Sequence, residues 1–196
     1  EILENKIYDL FEGISDIKNK ELNLLHSNSI KDDPSRILRC AKYASRLKFD
    51  ISEISLKQST YFINQWPWVC SENESKIKFP PGISIRLKME LAEIFKNDNV
   101  SEIITFLYKW KVISLINKNI KLDKTFLRGL RWLKKLEGNL MLYLLKDSDP
   151  LNEHCDRFYI NSKEKKILYE YLKLKNILKI ETEKYMRFSP SNWTKF

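Results

Sequence analysis

The chain has 196 residues, of which 43% are hydrophobic, enough for one larger domain or two small helical ones with a packed core. Only 4 are Gly, which argues against an all-β fold with many tight turns and for long helices. With 35 Lys and Arg against 26 Asp and Glu, the formal charge is +9, which points to a polyanionic partner: nucleic acid first, an anionic membrane surface second.

In chain order, Ile7–Gly13 reads as a turn-like entry, and Glu21–His26 as a short strand. That strand has no evident partner in the chain and is expected to be an orphan edge. From Asp33 the pattern becomes helical. At 100° per residue, Ile37, Leu38, Ala41, Ala44 and Ser45 fall on one side, and Arg36, Arg39, Tyr43 and Arg46 on the other. Pro34 suits a first turn and Asp33 an N-cap, with Asp32 beside it at the positive end of the helix dipole. A second helix is predicted over Ser52–Gln65, ending near Trp66-Pro67-Trp68. Residues 70–82, with Pro80-Pro81-Gly82, read as a loop. Helices follow over Ser84–Lys96 and Val100–Val112. Asp123–Leu136 is basic and amphipathic, followed by Gly138 and an apolar run from Leu140 to Leu145. Asp147-Ser148-Asp149-Pro150 is a helix stop, although it matches an Asp-x-Asp pattern. Ser162 reads as the cap of a helix over Ile167–Leu178. The tail Glu181–Phe196 lacks periodicity and is expected to be irregular. The sum is an all-α fold, an elongated multi-helix array with segments 1–30, 31–70, 83–146 and 151–196.

The cysteines Cys40, Cys70 and Cys155 are odd in number and far apart, with no C-x-x-C. That spacing argues against a disulfide framework or a zinc site, and a reducing cytoplasm fits best. Neither His26 nor His154 is followed by Asp, so no His-Asp metal motif is present. No apolar run reaches the roughly 20 residues needed to cross a bilayer.

Asp32-Asp33-Pro34-Ser35-Arg36, continuing Ile37-Leu38-Arg39-Cys40-Ala41-Lys42-Tyr43-Ala44-Ser45-Arg46-Leu47-Lys48-Phe49, resembles the neck-helix motif of the class II tRNA nucleotidyltransferase and bacterial poly(A) polymerase family. Upstream, Asp9, Gly13 and Asp16 match an Asp- and Gly-containing element of that family. Downstream, Arg86-Leu87-Lys88-Met89-Glu90-Leu91 resembles its Arg-x-x-x-Glu-Leu element. The resemblance covers residues 7 to 116, and the remainder only as a helical body and tail.

The resemblance implies that Asp33 and Arg36 meet the Watson–Crick edge of an incoming ATP or CTP. A carboxylate accepts from an exocyclic amino group, and a guanidinium donates to a ring nitrogen or carbonyl. Arg39 and Arg46 would face the triphosphate. Asp32 stands where the family usually has Glu, in a position to orient Arg36. Arg86 and Glu90, at i,i+4, read as a surface pair.

The family holds two metal ions, Mg2+, on carboxylates of a head domain upstream of the neck. Nothing before Asp9 matches that head, so the chain is expected to be a C-terminal neck, body and tail region. It is expected to bind no metal and to transfer no nucleotide on its own.

Lys121, Lys124, Arg128, Arg131, Lys134 and Lys135 recur at three- and four-residue intervals. The expected RNA-contacting set is Lys124, Arg128, Arg131 and Lys135, suited to the phosphates of a tRNA acceptor stem. The tryptophans are expected to pack in the core or anchor at the surface rather than stack on bases. Two other readings stand beside a tRNA enzyme. One is a poly(A) polymerase of the same family, and the other a stand-alone helical RNA-binding module without enzymatic activity.

Overall fold

The structure, a computed structural model, describes residues 2–3, 6–65 and 81–186. Trp66-Pro67-Trp68, Cys70, the proposed loop as far as Pro80, and the tail beyond Met186 lie outside the described residues. The chain divides into two compact units, 1–159 and 160–196. As expected, the described residues are overwhelmingly helical. The only strands among them are four two-residue pieces in two small sheets.

The first unit opens with an antiparallel pair, β1 (Ile2–Leu3) on β2 (Lys6–Ile7). Helix α1 (Gly13–Asn19) follows the turn-like entry expected over Ile7–Gly13 and was not itself foreseen. The Asp9 carboxylate starts it, accepting from Gly13 N and Ile14 N at 2.8 Å each. The Ile14 and Gly13 backbone donors hold the Asp9 carboxyl below the usual carboxylate range.

Strand β3 (Glu21–Leu22) is present but is not an orphan. It pairs in parallel with β4 (Asp50–Ile51), with Glu21 opposite Asp50 and Leu22 opposite Ile51. Asp50 N donates to Lys20 O and Ser52 N to Leu22 O, both at 3.0 Å. Strand β4 was not foreseen, because two residues carry no readable period.

Between the strands lie α2 (Ser29–Asp32) and α3 (Ser35–Leu47). Helix α3 buries Ile37, Leu38, Ala41, Ala44 and Ser45, the face expected from its period. It packs against α5 (Pro81–Lys96) and α6 (Val100–Lys109). Ala41 and Ala44 are fully buried there, alongside Leu87, Leu91 and Ile94 of α5 and Ile103, Ile104 and Leu107 of α6. Each buried branched side chain contributes about 1.5–3 kcal/mol relative to exposure. This three-helix contact is the core that positions the polar face of α3.

Helix α4 (Glu53–Asn64) starts at Ser52, whose hydroxyl accepts from Ser55 N. Helix α5 begins at Pro81, so Pro81 and Gly82 belong to its first turn rather than to a loop. A proline there gives up no intrahelical bond. Helix α6 stops at Lys109, three residues before the expected end. Lys111 turns into the left-handed region (φ 60°), and a 3-10 turn over Val112–Leu115 follows.

Helix α7 (Lys124–Lys135) is capped by Asp123, which accepts from Phe126 N at 2.7 Å. Asn139 caps α8 (Leu140–Leu145) in the same way. Residues 147–150 end it, as expected of a helix stop, and α9 (Leu151–Arg157) begins directly after Pro150.

In the second unit, α10 (Ser162–Met186) is longer than its expected core. Its cap is Asn161, one residue before Ser162. Asn161 Oδ1 accepts from Glu164 N, and Glu164 Oε2 accepts from Asn161 N, a reciprocal capping box. Residues 181–186, expected to be irregular, continue the helix. No helix of the described residues is long and apolar enough to cross a membrane.

Candidate nucleotide and RNA contact surfaces

The N-terminal end of α3 gathers Asp33, Arg36 and Arg39. Asp33 lies one residue outside the helix, with Pro34 in the cap position. Its carboxylate still does the capping: Oδ1 accepts from Ser35 N at 2.9 Å and from Ser35 Oγ at 2.6 Å. The side chain is only 10% exposed, so its charge needs partners. Arg86 of α5 supplies one, donating from Nη1 to Asp33 Oδ2 at 3.2 Å. Arg39 Nη2 stands 3.8 Å from the same oxygen.

Arg86 and Glu90 therefore do not form the surface pair expected from their spacing. Each reaches across the helix contact instead. Glu90 Oε1 lies 3.6 Å from Arg39 Nε, and Glu90 Oε2 lies 3.5 Å from Lys42 Nζ. The reason is packing. Leu87 and Leu91 are buried against α3, so the flanking positions 86 and 90 border that contact rather than open solvent. Arg39 is thus held between two carboxylates, Asp33 and Glu90.

Arg36 has a different neighbour. Its Nη1 lies 3.4 Å from His26 Nε2, and that nitrogen lies 3.8 Å from Asp32 Oδ2. Asp32 ends α2 rather than standing at the α3 N-terminus, and it approaches Arg36 only through His26. The sequence reading missed His26, because a single His ten residues upstream of an Arg carries no periodic signal.

Arg46 is not gathered with this group. It lies ten residues beyond Arg36, about 15 Å along the helix axis. It is exposed, with its guanidinium 5.0 Å from the centre of the Tyr43 ring.

A carboxylate offers about four acceptor positions. Asp33 spends three on Ser35 N, Ser35 Oγ and Arg86. One position remains, on Oδ2, the oxygen 3.8 Å from Arg39 Nη2. Arg36, with five N–H donors and one contact to His26, keeps several for ring acceptors. One acceptor beside several donors is the pattern that meets the amino-plus-ring-nitrogen edge shared by adenine and cytosine.

Helix α7 presents Lys124, Arg128, Arg131 and Lys135, all exposed. Lys124, Arg128 and Arg131 line a hollow of about 440 Å³ with Thr125 and Leu127. Lys135 Nζ lies 5.2 Å from the Trp132 ring centre. Lys134 leaves the stripe, turning inward to donate to Phe95 O of α5. Phe126 and Leu130 anchor the opposite side in the core. Trp110 is buried and Trp132 exposed.

No family model matches the chain. It is 30% identical over 133 residues to the A-adding tRNA nucleotidyltransferase of Aquifex aeolicus, covering 66% of this chain and 14% of that protein. It is 22% identical over 177 residues to a CCA-adding enzyme of Staphylococcus aureus, covering 89% of this chain and 40% of that one. Among solved structures, a tRNA-processing enzyme with CTP superposes with a TM-score of 0.59 at 26% identity, over 93% of this chain and 53% of that chain. The chain spans about half or less of the length of these relatives. By sequence and fold together, it is related to a region of the tRNA nucleotidyltransferases.

Proposed function

We propose that this chain is the nucleotide-selecting and RNA-holding part of an enzyme that adds CTP- or ATP-derived nucleotides to a tRNA 3′ end. The observation that carries this reading is the N-terminal end of α3. There one buried, cross-braced carboxylate (Asp33) stands beside an arginine with unspent donors (Arg36). The open acceptor of Asp33 takes the exocyclic amino proton of either base. Arg36 donates to the adjacent ring acceptor. Arg39, fixed by Glu90 and Asp33, turns its remaining donors toward phosphate. The exposed cations of α7 hold the RNA backbone through charge, without reading sequence.

Bond formation in such an enzyme relies on Mg2+ held by converging carboxylates. Among the described residues, no three His, Cys, Asp or Glu side chains converge in that way, so these residues do not fit such a site.

The test is nucleotide binding by the chain and by Arg36→Ala, followed by fluorescence or calorimetry with ATP, CTP, GTP and UTP. A circular dichroism melt confirms that the variant is folded. The expected result is at least a tenfold loss for ATP and CTP. Equal binding of all four nucleotides by both proteins overturns the base-selecting role.

A further inference from the structure

A second cationic hollow lies away from the nucleotide-selecting end of α3, and it is lined by none of the residues assigned above to nucleotide or RNA. It has a volume of about 670 Å³ and sits where the end of α4, the end of α6, the 3-10 turn and α9 come together. Four cations line it: Lys109, Lys111, Lys118 and Arg157. Among the described residues that line it, none is a carboxylate. Its floor is apolar, with Ile63, Ile113, Leu115 and Ile120.

Positive charges gathered around one hollow repel one another, and burial increases that cost. Arg157 shows the effect of burial, which lowers its pKa to about 10. Its Nη2 donates to Leu115 O at 2.7 Å, which fixes the guanidinium at the wall of the hollow. Lys111 is set at the rim by its left-handed backbone, where α6 breaks. Lys109, Lys111 and Lys118 are exposed, so their ammonium groups can turn inward without losing any burial.

The hollow also adjoins the basic helix. Ile120 lines it, and Lys124 lines the smaller hollow on α7. They stand four positions apart in the chain, a span of at most about 14 Å. A strand of RNA lying on α7 therefore reaches the larger hollow within a few nucleotides.

From this placement we propose that the Lys109–Lys111–Lys118–Arg157 hollow is a phosphate-binding site that holds a backbone phosphate of the bound RNA. It extends the α7 contact onto the end of α6 and α9. The inference rests on the reading of the chain as RNA-binding, and it adds a site which that reading does not require.

The experiment is a salt titration of the binding of an in-vitro transcribed tRNA lacking its 3′ CCA to the full 196-residue chain. Three variants are compared: Lys111→Gln with Lys118→Gln in the hollow, Arg128→Gln with Arg131→Gln on α7, and Lys18→Gln with Lys57→Gln as exposed controls elsewhere. Circular dichroism melts confirm that each is folded. Removing one phosphate neutralisation lowers the slope of log K against log salt by about 0.7 to 0.9. The expected result is a lower slope for the hollow pair as well as the α7 pair, with the control pair unchanged. A lower slope for the α7 pair alone overturns this site and leaves the proposed function standing. An equal fall in the control pair also overturns it, because net charge then suffices. Absence of RNA binding by the parent chain overturns both readings. Inorganic pyrophosphate and ATP are titrated in parallel to separate the sources of phosphate. If the hollow pair weakens those ligands while the RNA slope is unchanged, the hollow serves a free phosphate and the RNA assignment fails.

Discussion

Arg86 and Asp33, 53 positions apart in sequence, meet across the α3–α5 contact, with Nη1 3.2 Å from Oδ2. One carboxylate thereby starts α3 and ties it to α5. Arg86→Met removes the tie and leaves the cap. Arg86 is largely exposed, so the stability cost is small, about 1 kcal/mol. The larger effect is expected on selection, because Asp33 then loses its fixed orientation. The variant should bind ATP and CTP several-fold more weakly while its melting point falls by only a few degrees. Unchanged affinity with lowered stability would show that the pair serves the fold alone.

The close approach of α3 to its two neighbours depends on Ala41 and Ala44, both fully buried. Ala44→Leu inserts three carbons where there is no room. Overpacking of this kind costs about 1–3 kcal/mol. A urea midpoint lowered accordingly, with an unchanged m-value, is the expected outcome. A stabilised variant would mean that the helices stand further apart than the structure shows.

Gly129 sits on α7 directly under the Tyr143 ring. A Cβ there would collide with the hydroxyl and ring edge of Tyr143, which donates to Phe126 O at 2.7 Å. Alanine normally gains about 1 kcal/mol over glycine within a helix. Here the displaced ring and the broken hydrogen bond outweigh that gain, so Gly129→Ala should destabilise by about 1 kcal/mol net. A raised melting temperature would contradict this placement of Tyr143.

Glu102 joins the start of α6 to the end of α3, accepting from Lys48 Nζ at 2.8 Å and from Ser45 Oγ. The Lys48 bond, then the Ser45 bond, hold its carboxyl below the usual value of 4.5. Because the folded value is the lower one, the contribution is complete above the unfolded value and disappears as pH falls through the folded value. Lys48 is 65% exposed, so the contribution stays below about 1 kcal/mol. Glu102→Gln should destabilise slightly at pH 7 and less at pH 3. Urea melts at both values check this, and an equal cost at both would assign the effect to packing.

Burial within α3 raises the Cys40 thiol to about 11. Only the thiolate is nucleophilic, so folded protein at pH 7.5 should leave Cys40 unlabelled by iodoacetamide. Peptide mapping after brief exposure, with and without urea, tests it. Rapid labelling without denaturant would show that this half-buried thiol is not held in its neutral form.

Long periodic elements were the legible part of this fold. The buried face of α3 follows from Ile37, Leu38, Ala41 and Ala44 at helical spacing, and the start of α7 from Asp123 before a basic amphipathic run. Polar partners at long range were not legible. Arg86 and Glu90, four apart, have the spacing of a self-contained pair. Only the tertiary contact shows each taking a partner on the α3 side. Short elements escaped as well: α1 and α9 have seven residues each, fewer than a hydrophobic period needs to declare itself. Within the site, Asp33, Arg36 and Arg39 are brought together at one end of α3, while Arg46, on the same helix face, is separated from them by distance. A shared face in projection says nothing about position along the axis.

The parallel pairing of β3 with β4 ties the segment entering α2 to the segment leaving α3. The two helices form a closed circuit, clasped at Lys20–Leu22 and Asp50–Ser52. At its other end, α3 is pinned to α5 through Asp33. The two ends of α3 are therefore fixed by different kinds of bond, backbone strand pairing at one and a carboxylate–guanidinium contact at the other.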